Sequence, residues 1–261
     1  MVKCSNNNKD EMLDYLKGKP TENSLLMGDT ENFSFYEDFI DAWLMKRENN
    51  ITSVLMRYFK HYTLSTIEND DIEELSQKVL HNADWQTISG IEDVINRVSG
   101  FIKIKEIKLK HLAELNKNTY IKINTNIVPI KATIDDLEEL FTFYMSIEEL
   151  EMTEESRESF GQEVITNTGS IYLIKIGGQI IAAATITAVN SMNGTVIGVA
   201  TDKNYRGQGY AKACLSKLCS EVISLGKMAV LFYDNPIAGK LYKSIGFVDV
   251  NRWAIGTTSS A

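Results

Sequence analysis

The sequence predicts an α/β (α+β) protein, and three observations predict it. Val196–Ala200 is an apolar run too short for a helix and reads as a buried strand. It leads through the polar loop Asp202–Tyr205 and the turn Arg206-Gly207-Gln208-Gly209 into a helix, because Tyr210, Ala211, Cys214, Leu215, Leu218, Cys219, Val222 and Ile223 recur on one face. Second, Ile171–Ile176 and Gln179–Val189 flank Gly177-Gly178, a pair that suits the positive-φ positions of a two-residue hairpin turn. Third, the first half of the chain echoes the second: strand, strand, helix, strand, helix, strand.

In chain order, Glu11–Leu16 has the spacing of a short amphipathic helix stopped by Gly18 and Pro20, and Glu22–Phe33 is mixed, helix with loop. Phe39–Lys46 and Ile51–Thr63 read as two strands joined at Glu48-Asn49-Asn50. Asp71–Leu80 is a helix with Ile72, Leu75 and Val79 on one face. Trp85–Ile88 is a short strand, Gly90–Phe101 a helix capped by Ser89 or Gly90, and Ile104–Leu115 a strand. The polar stretch Asn116–Asn126 separates the halves, so the expected domains are 1–125 and 126–261. In the second, Ile127–Ala132 is a strand and Thr133 the N-cap of a helix with Leu137, Leu140, Phe141 and Tyr144 on its apolar stripe. Glu148–Glu158 is an acidic connection and Ser159–Thr166 a second helix. Past the hairpin and the central strand, Met228–Tyr233 is a strand. Asn235 is an N-cap with Pro236 as first helical residue, and Ile237, Leu241, Tyr242 and Ile245 lie on one side of the helix. Gly246 ends it and Phe247–Val250 resumes as a strand.

Composition narrows the function. The net charge of −8 argues against a nucleic-acid partner and mildly favours cationic small molecules, although acidity also simply aids solubility. Cys214 and Cys219 fall on the apolar side of one helix, so free thiols in a reducing, cytoplasmic compartment are expected. His61, His81 and His111 share no ligand spacing, so no metal site is expected. The N-terminus shows no signal-peptide pattern, and charge and glycines interrupt the most apolar stretch, Ile171–Val189, so no membrane association is expected.

The turn at 206–211 is where the chemistry concentrates. The first turn of a helix has unpaired N–H groups at the positive end of its dipole, and Gly207 and Gly209 let an anion approach that backbone. A phosphate or pyrophosphate fits there; glycines serving only a tight turn are the plain alternative. A Walker loop is excluded because neither glycine precedes Lys. A dinucleotide fingerprint is excluded because Lys212 stands where a third small residue is needed.

Arg206-x-x-Gly209-x-Ala211 resembles the Gln/Arg-x-x-Gly-x-Gly/Ala motif of the GNAT superfamily of acyl-CoA-dependent N-acetyltransferases. Asn235-x-x-Ala238-x-x-x-Tyr242-x-x-x-Gly246-Phe247 is similar to that family's closing motif, in the family order and spacing. The resemblance runs from about Ile127 to the end of the chain. It implies a mixed, mostly antiparallel sheet flanked by helices, splayed beside its fourth strand so that acyl-CoA enters between strands. The first half resembles the degenerate leading domain of tandem members, with an unrelated α+β domain as the alternative. Its strand-to-helix connection, Ser65–Asp71, is acidic and lacks the glycine motif, so no cofactor is expected there.

The resemblance implies acetyl transfer from acetyl-CoA, with no metal, to the primary amine of a small-molecule or peptide acceptor, by a monomer or homodimer. The backbone of Arg206, Gly207, Gln208, Gly209, Tyr210 and Ala211 would hold the pyrophosphate. Lys212 or Lys217 would add charge, although helix-surface lysines are more often only solvated. The edge of Val199-Ala200-Thr201 would pair with the pantetheine amides and offer an N–H to the oxyanion. Tyr242 is the candidate general acid for the leaving thiolate, a phenol of ordinary pKa about 10; without the motif it reads as a core ring. Asn235 caps its helix and, by resemblance, touches the cofactor. No carboxylate lies on Val196–Thr201, so the base is open among Glu148, Glu149, Glu151, Glu154, Glu155, water and backbone carbonyls. An acetyltransferase-derived CoA-binding module without turnover is the second reading.

Overall fold

The computed structural model describes residues 1–150 and 169–258. Packing divides the chain into two compact units, Met1–Leu112 with Asp249–Ala261, and Ala113–Val248. The last strand thus returns to the first unit, although 126–261 reads as one stretch in sequence.

The first unit begins with β1 (Val2–Lys3), α1 (Lys9–Leu16) and α2 (Ser24–Asn32). Then come β2 (Ile40–Arg47), β3 (Asn50–Tyr58) and β4 (His61–Thr66), α3 (Ile72–Leu80), β5 (Thr87–Ile91) and α4 (Glu92–Val98). The strands β1 to β4 pair antiparallel in order. β4 then pairs parallel with β5 from His61↔Thr87 to Thr63↔Ser89. The stretch Ile51–Thr63, expected as one strand, is two, because Phe59 at φ +52° turns the chain back. α4 is shorter than expected, and no side chain caps it; Gly90 lies in β5, where a Cβ would meet the Leu64 carbonyl oxygen at 2.8 Å. Trp43, Leu55, Leu75, Ile88, Ile95 and Ala254 form the core.

From the first unit, β6 (Glu106–Leu115) carries the chain into the second. There follow β7 (Ile130–Lys131), α5 (Leu137–Met145), β8 (Ser170–Ile176), β9 (Gln179–Thr187) and β10 (Asn193–Thr201). The chain continues through α6 (Tyr210–Ser224), β11 (Met228–Tyr233) and α7 (Pro236–Lys243) into β12 (Val248–Thr257). The strands β7 to β10 pair antiparallel in order and β10 pairs parallel with β11, so the sheet is mixed and mostly antiparallel. Gly177 and Gly178 make the hairpin turn at φ +60° and +83°. The strand expected at Ile127–Ala132 is only two residues long, Ile130–Lys131. The Asp136 carboxylate closes the following helix start by accepting from the Thr133 N–H at 2.8 Å. One face of the sheet packs on α6 through Cys214, Leu215, Leu218 and Cys219, the other on α5 through Leu140, Phe141 and Tyr144. Within the first unit, β12 pairs antiparallel with β5 from Trp253↔Ile91 to Thr257↔Thr87. Ser159–Thr166, expected as a helix, lies outside the described residues.

Candidate active site

The site is built where β10 ends. Its parallel pairing with β11 runs only from Asn193↔Met228 to Val196↔Leu231. On its other side β10 stays paired with β9 as far as Thr201↔Ala182. The edge of Ile197–Thr201 that faces away from β9 therefore has no strand partner among the described residues. Between Ile197 and Ala200 the register shifts in a bulge. Gly198 sits in it at φ +57°, and a Cβ there would lie 2.9 Å from the ring and hydroxyl of Tyr144. Tyr144 is buried, and its hydroxyl hydrogen-bonds Thr185 Oγ1 at 2.7 Å. Burial, partly offset by that bond, pushes the phenol's pKa up. The sequence reading missed this pair. Its one signal was a lone glycine inside an apolar strand, which marks a bulge or a close approach.

Past Thr201 the chain makes a tight turn, in which the Asp202 carboxylate accepts from the Asn204 N–H at 2.8 Å. Gly207 and Gly209 then adopt φ +78° and +86°. A Cβ would meet nothing within 4 Å at Gly207 and only Ile127 Cδ1, at 4.0 Å, at Gly209. The glycines serve the backbone conformation and leave the space above it open. Among the described residues, the N–H groups of Gly209, Tyr210, Ala211 and Lys212 find no acceptor, and they crown the N-terminus of a four-turn helix. Unpaired backbone donors at the positive end of a helix dipole are what an anion cradle requires.

Arg206 does not reach into that cradle. Its guanidinium forms a two-pronged pair with Glu149, at 2.9 and 3.1 Å, and its Nε donates to the Thr201 carbonyl at 3.2 Å. The Arg206 guanidinium holds the Glu149 carboxyl below its usual range, which makes Glu149 a poor base. No short-range pattern reveals this pair across 57 positions. Lys212 has no ion-pair partner among the described residues, whereas Lys217 lies 5.9 Å from the centre of the Tyr172 ring. Of the other base candidates, Glu148 opens a short 3-10 turn, and Glu151, Glu154 and Glu155 lie outside the described residues.

Past the end of β11, Asn235 caps α7 through Oδ1, which accepts from the Ile237 N–H at 2.8 Å. Tyr242 is 9% exposed and packs edge-on against Tyr233 and Phe247, with ring centres at 5.4 and 5.9 Å. It shares one apolar cluster with Val199, Tyr205 and Tyr210, so the elements of both motifs converge. Among the described residues its hydroxyl has no hydrogen-bond partner. Burial, then the negative charge of Asp234 and the Tyr233 phenol, push its pKa up to about 12. Ile237, expected on the apolar side of this helix, is instead exposed. Among the described residues no cluster of His, Cys, Asp and Glu could hold a metal.

Residues 134–247 match the acetyltransferase (GNAT) family. Among curated proteins no match is found. Solved structures of similar fold include an acetyltransferase of the GNAT family from Colwellia psychrerythraea. It is 13% identical with a TM-score of 0.60, and the likeness covers 99% of this chain and 100% of that one. A tandem GNAT protein from the clavulanic acid biosynthesis pathway is 12% identical at a TM-score of 0.60, covering 100% and 98%. A Drosophila protein is 11% identical at 0.70, covering 100% and 99%. At these identities the likeness is one of fold. It extends beyond residues 134–247, the stretch that matches the GNAT acetyltransferase family, to the whole chain.

Proposed function

We propose that the protein transfers an acetyl group from acetyl-CoA directly to a primary amine. The observation that carries this reading is the parting of β10 from β11 after Val196↔Leu231, beside an open backbone cradle for anions. A chain of amides laid in that opening has the free edge of Val199, Ala200 and Thr201 to pair with. The pyrophosphate then has the N–H groups of Gly209 to Lys212 at a helix N-terminus. The bulge at Gly198 turns backbone N–H groups out of the ladder, which suits them to a developing oxyanion. The amine nitrogen attacks the thioester carbonyl, the C–N bond forms and the C–S bond breaks. The nitrogen's proton leaves to water or a backbone-held water chain, since no strand carboxylate is there to take it. The sulfur leaves with the electron pair and is protonated.

Tyr242 is the donor we assign to that sulfur. Its raised pKa keeps it protonated at every ordinary pH. Against a thiol of pKa about 8.5, complete transfer from so weak an acid is uphill by about 5 kcal/mol. The phenol therefore contributes chiefly as a hydrogen-bond donor to the departing sulfur. In function, the stretch 126–261 carries the transfer and 1–125 is a degenerate GNAT-like domain. The protein works in a reducing compartment, the cytoplasm, as a monomer or homodimer. Three buried free thiols support that compartment.

The second reading, a CoA-binding module without turnover, is favoured by the same weak acidity of Tyr242 and by the lack of a carboxylate on β10. One experiment tests both. Gly209→Asp adds a negative charge in the cradle at a position where the side chain meets no wall. Calorimetry should show acetyl-CoA binding to the parent chain, and its loss in the variant with a native circular dichroism spectrum. Unchanged affinity overturns the assignment. Release of free CoA across a panel of amines by the parent chain establishes turnover, and binding without release leaves the module reading.

A further inference from the structure

The first unit contains a cavity of about 290 Å³, at the lower end of small-ligand sites. Every residue lining it belongs to that unit. It opens because β4 and β5 part after Thr63↔Ser89, so Leu64 to Ile67 diverge from Ile91 and the start of α4. Its apolar wall is Leu64, Ile91, Val94 and, from the returning last strand, Trp253. Its polar end is the turn between α1 and α2, with Lys19, Glu22 and Asn23.

Asn23 makes this cavity more than a packing gap. It is 4% exposed and precedes α2, yet its side chain does not cap the helix. Its Nδ2 donates to the Leu16 carbonyl at 2.9 Å, which turns Oδ1 the other way. Among the described residues that oxygen has no donor. It borders the open cavity, where a ligand N–H would give it one. Beside it, Glu22 is held at the mouth by two contacts. Its Oε1 accepts from Asn251 Nδ2 at 2.8 Å, and Lys19 Nζ lies 3.3 Å from Oε2. The polar end thus offers an open neutral acceptor and a carboxylate, and the far end offers only hydrocarbon and an indole.

We infer that this cavity binds a small primary ammonium compound with an apolar body, its nitrogen between Asn23 Oδ1 and the Glu22 carboxylate and its body against Val94 and Trp253. A phosphorylated cofactor does not fit. The strand-to-helix connection here is acidic, and its 3-10 turn ends on the Asp71 carboxylate, which Thr52, Ser53 and Arg47 hold in place. The chain's net charge of −8 favours a cation. The site lies outside the family-matched residues 134–247 and stands apart from acetyl transfer. The nitrogen has two possible sources, a simple amine or an apolar α-amino acid whose carboxylate would meet Lys19.

The test uses the full chain and the fluorescence of its tryptophans, which are Trp43, Trp85 and Trp253, all in the first unit. 2-Phenylethylamine should change that fluorescence saturably in the absence of acetyl-CoA, and N-acetyl-2-phenylethylamine, which has no ammonium, should not. Phenylalanine binding tighter than the amine identifies the amino acid as the source; the reverse identifies the amine. Glu22→Gln and Asn23→Ala should each weaken binding at least about tenfold, the worth of a charge-assisted hydrogen bond. If Asn23→Ala unfolds, Val94→Phe blocks the apolar end while leaving the polar end intact, and should abolish binding. Gly209→Asp should leave the titration unchanged. No saturation at millimolar amine overturns the proposal. So does equal binding of the N-acetyl compound, or binding that survives Glu22→Gln and Val94→Phe but fails in Gly209→Asp.

Discussion

The proposed transfer turns on one hydroxyl, that of Tyr242. Tyr242 is seated among aromatic rings, so its ring would stay in place without the oxygen. Tyr242→Phe should leave stability and acetyl-CoA affinity nearly unchanged while kcat falls. The ordinary worth of general acid catalysis is about 10²–10⁴-fold, and the weak acidity of a phenol pushed to about 12 puts the expected fall at the lower end. The sign of its pH dependence follows. The donor form is the protonated one, so rate is lost only as pH rises towards 12, and the parent enzyme should show no tyrosine limb below about pH 10. A Phe variant within a few-fold of the parent would reduce Tyr242 to a packing residue.

The bulge in β10 is the device at the level of the element. It exists because one residue in an otherwise apolar strand has no side chain and takes a left-handed conformation, and because a helix on the sheet's face presses a tyrosine into the space. Gly198→Ala should destabilise the fold by about 1–3 kcal/mol from backbone strain, and more from the displaced Tyr144 ring. It should also lower kcat, since the bulge aims the N–H groups assigned to the oxyanion. Urea denaturation of the double change Gly198→Ala with Tyr144→Leu checks the coupling. Residues in direct contact are not additive, so the pair should cost less than the sum of the singles. Strict additivity would mean that Tyr144 and the bulge are independent.

For the whole molecule, the thiols predict a limit on the alkaline side. Burial pushes Cys4 and Cys214 up to about 12, from an ordinary 9.0, and raises Cys219 as well. The unfolded chain therefore releases these protons first. Their contribution to stability is fully present below about pH 8.5 and declines as pH rises towards 12. Melting temperatures measured from pH 7 to 10.5 should fall with a slope that is shallower after Cys4, Cys214 and Cys219 are all replaced by Ala. An unchanged slope would assign the loss to other groups.

Much of this was legible in the sequence because it is local chemistry. The positive-φ turn at Gly207 and Gly209, the Asn235 cap with Pro236, the Gly177-Gly178 turn and the strand Met228–Tyr233 depend on residues within a few positions of one another. Backbone conformation there follows from side-chain size and capping alone. What only the tertiary structure decided spans long separations. Arg206 turns to Glu149 rather than into the cradle; Tyr144 meets Gly198; β10 parts from β11 after Val196; the last strand returns to the first unit and closes a cavity over Asn23. Apart from the lone glycine in β10, none of these has a local signature, because each is settled by which surfaces remain unpaired once the sheets have formed. A strand edge, a buried amide oxygen or an arginine finds its partner in space, and sequence periodicity records only that a partner is needed.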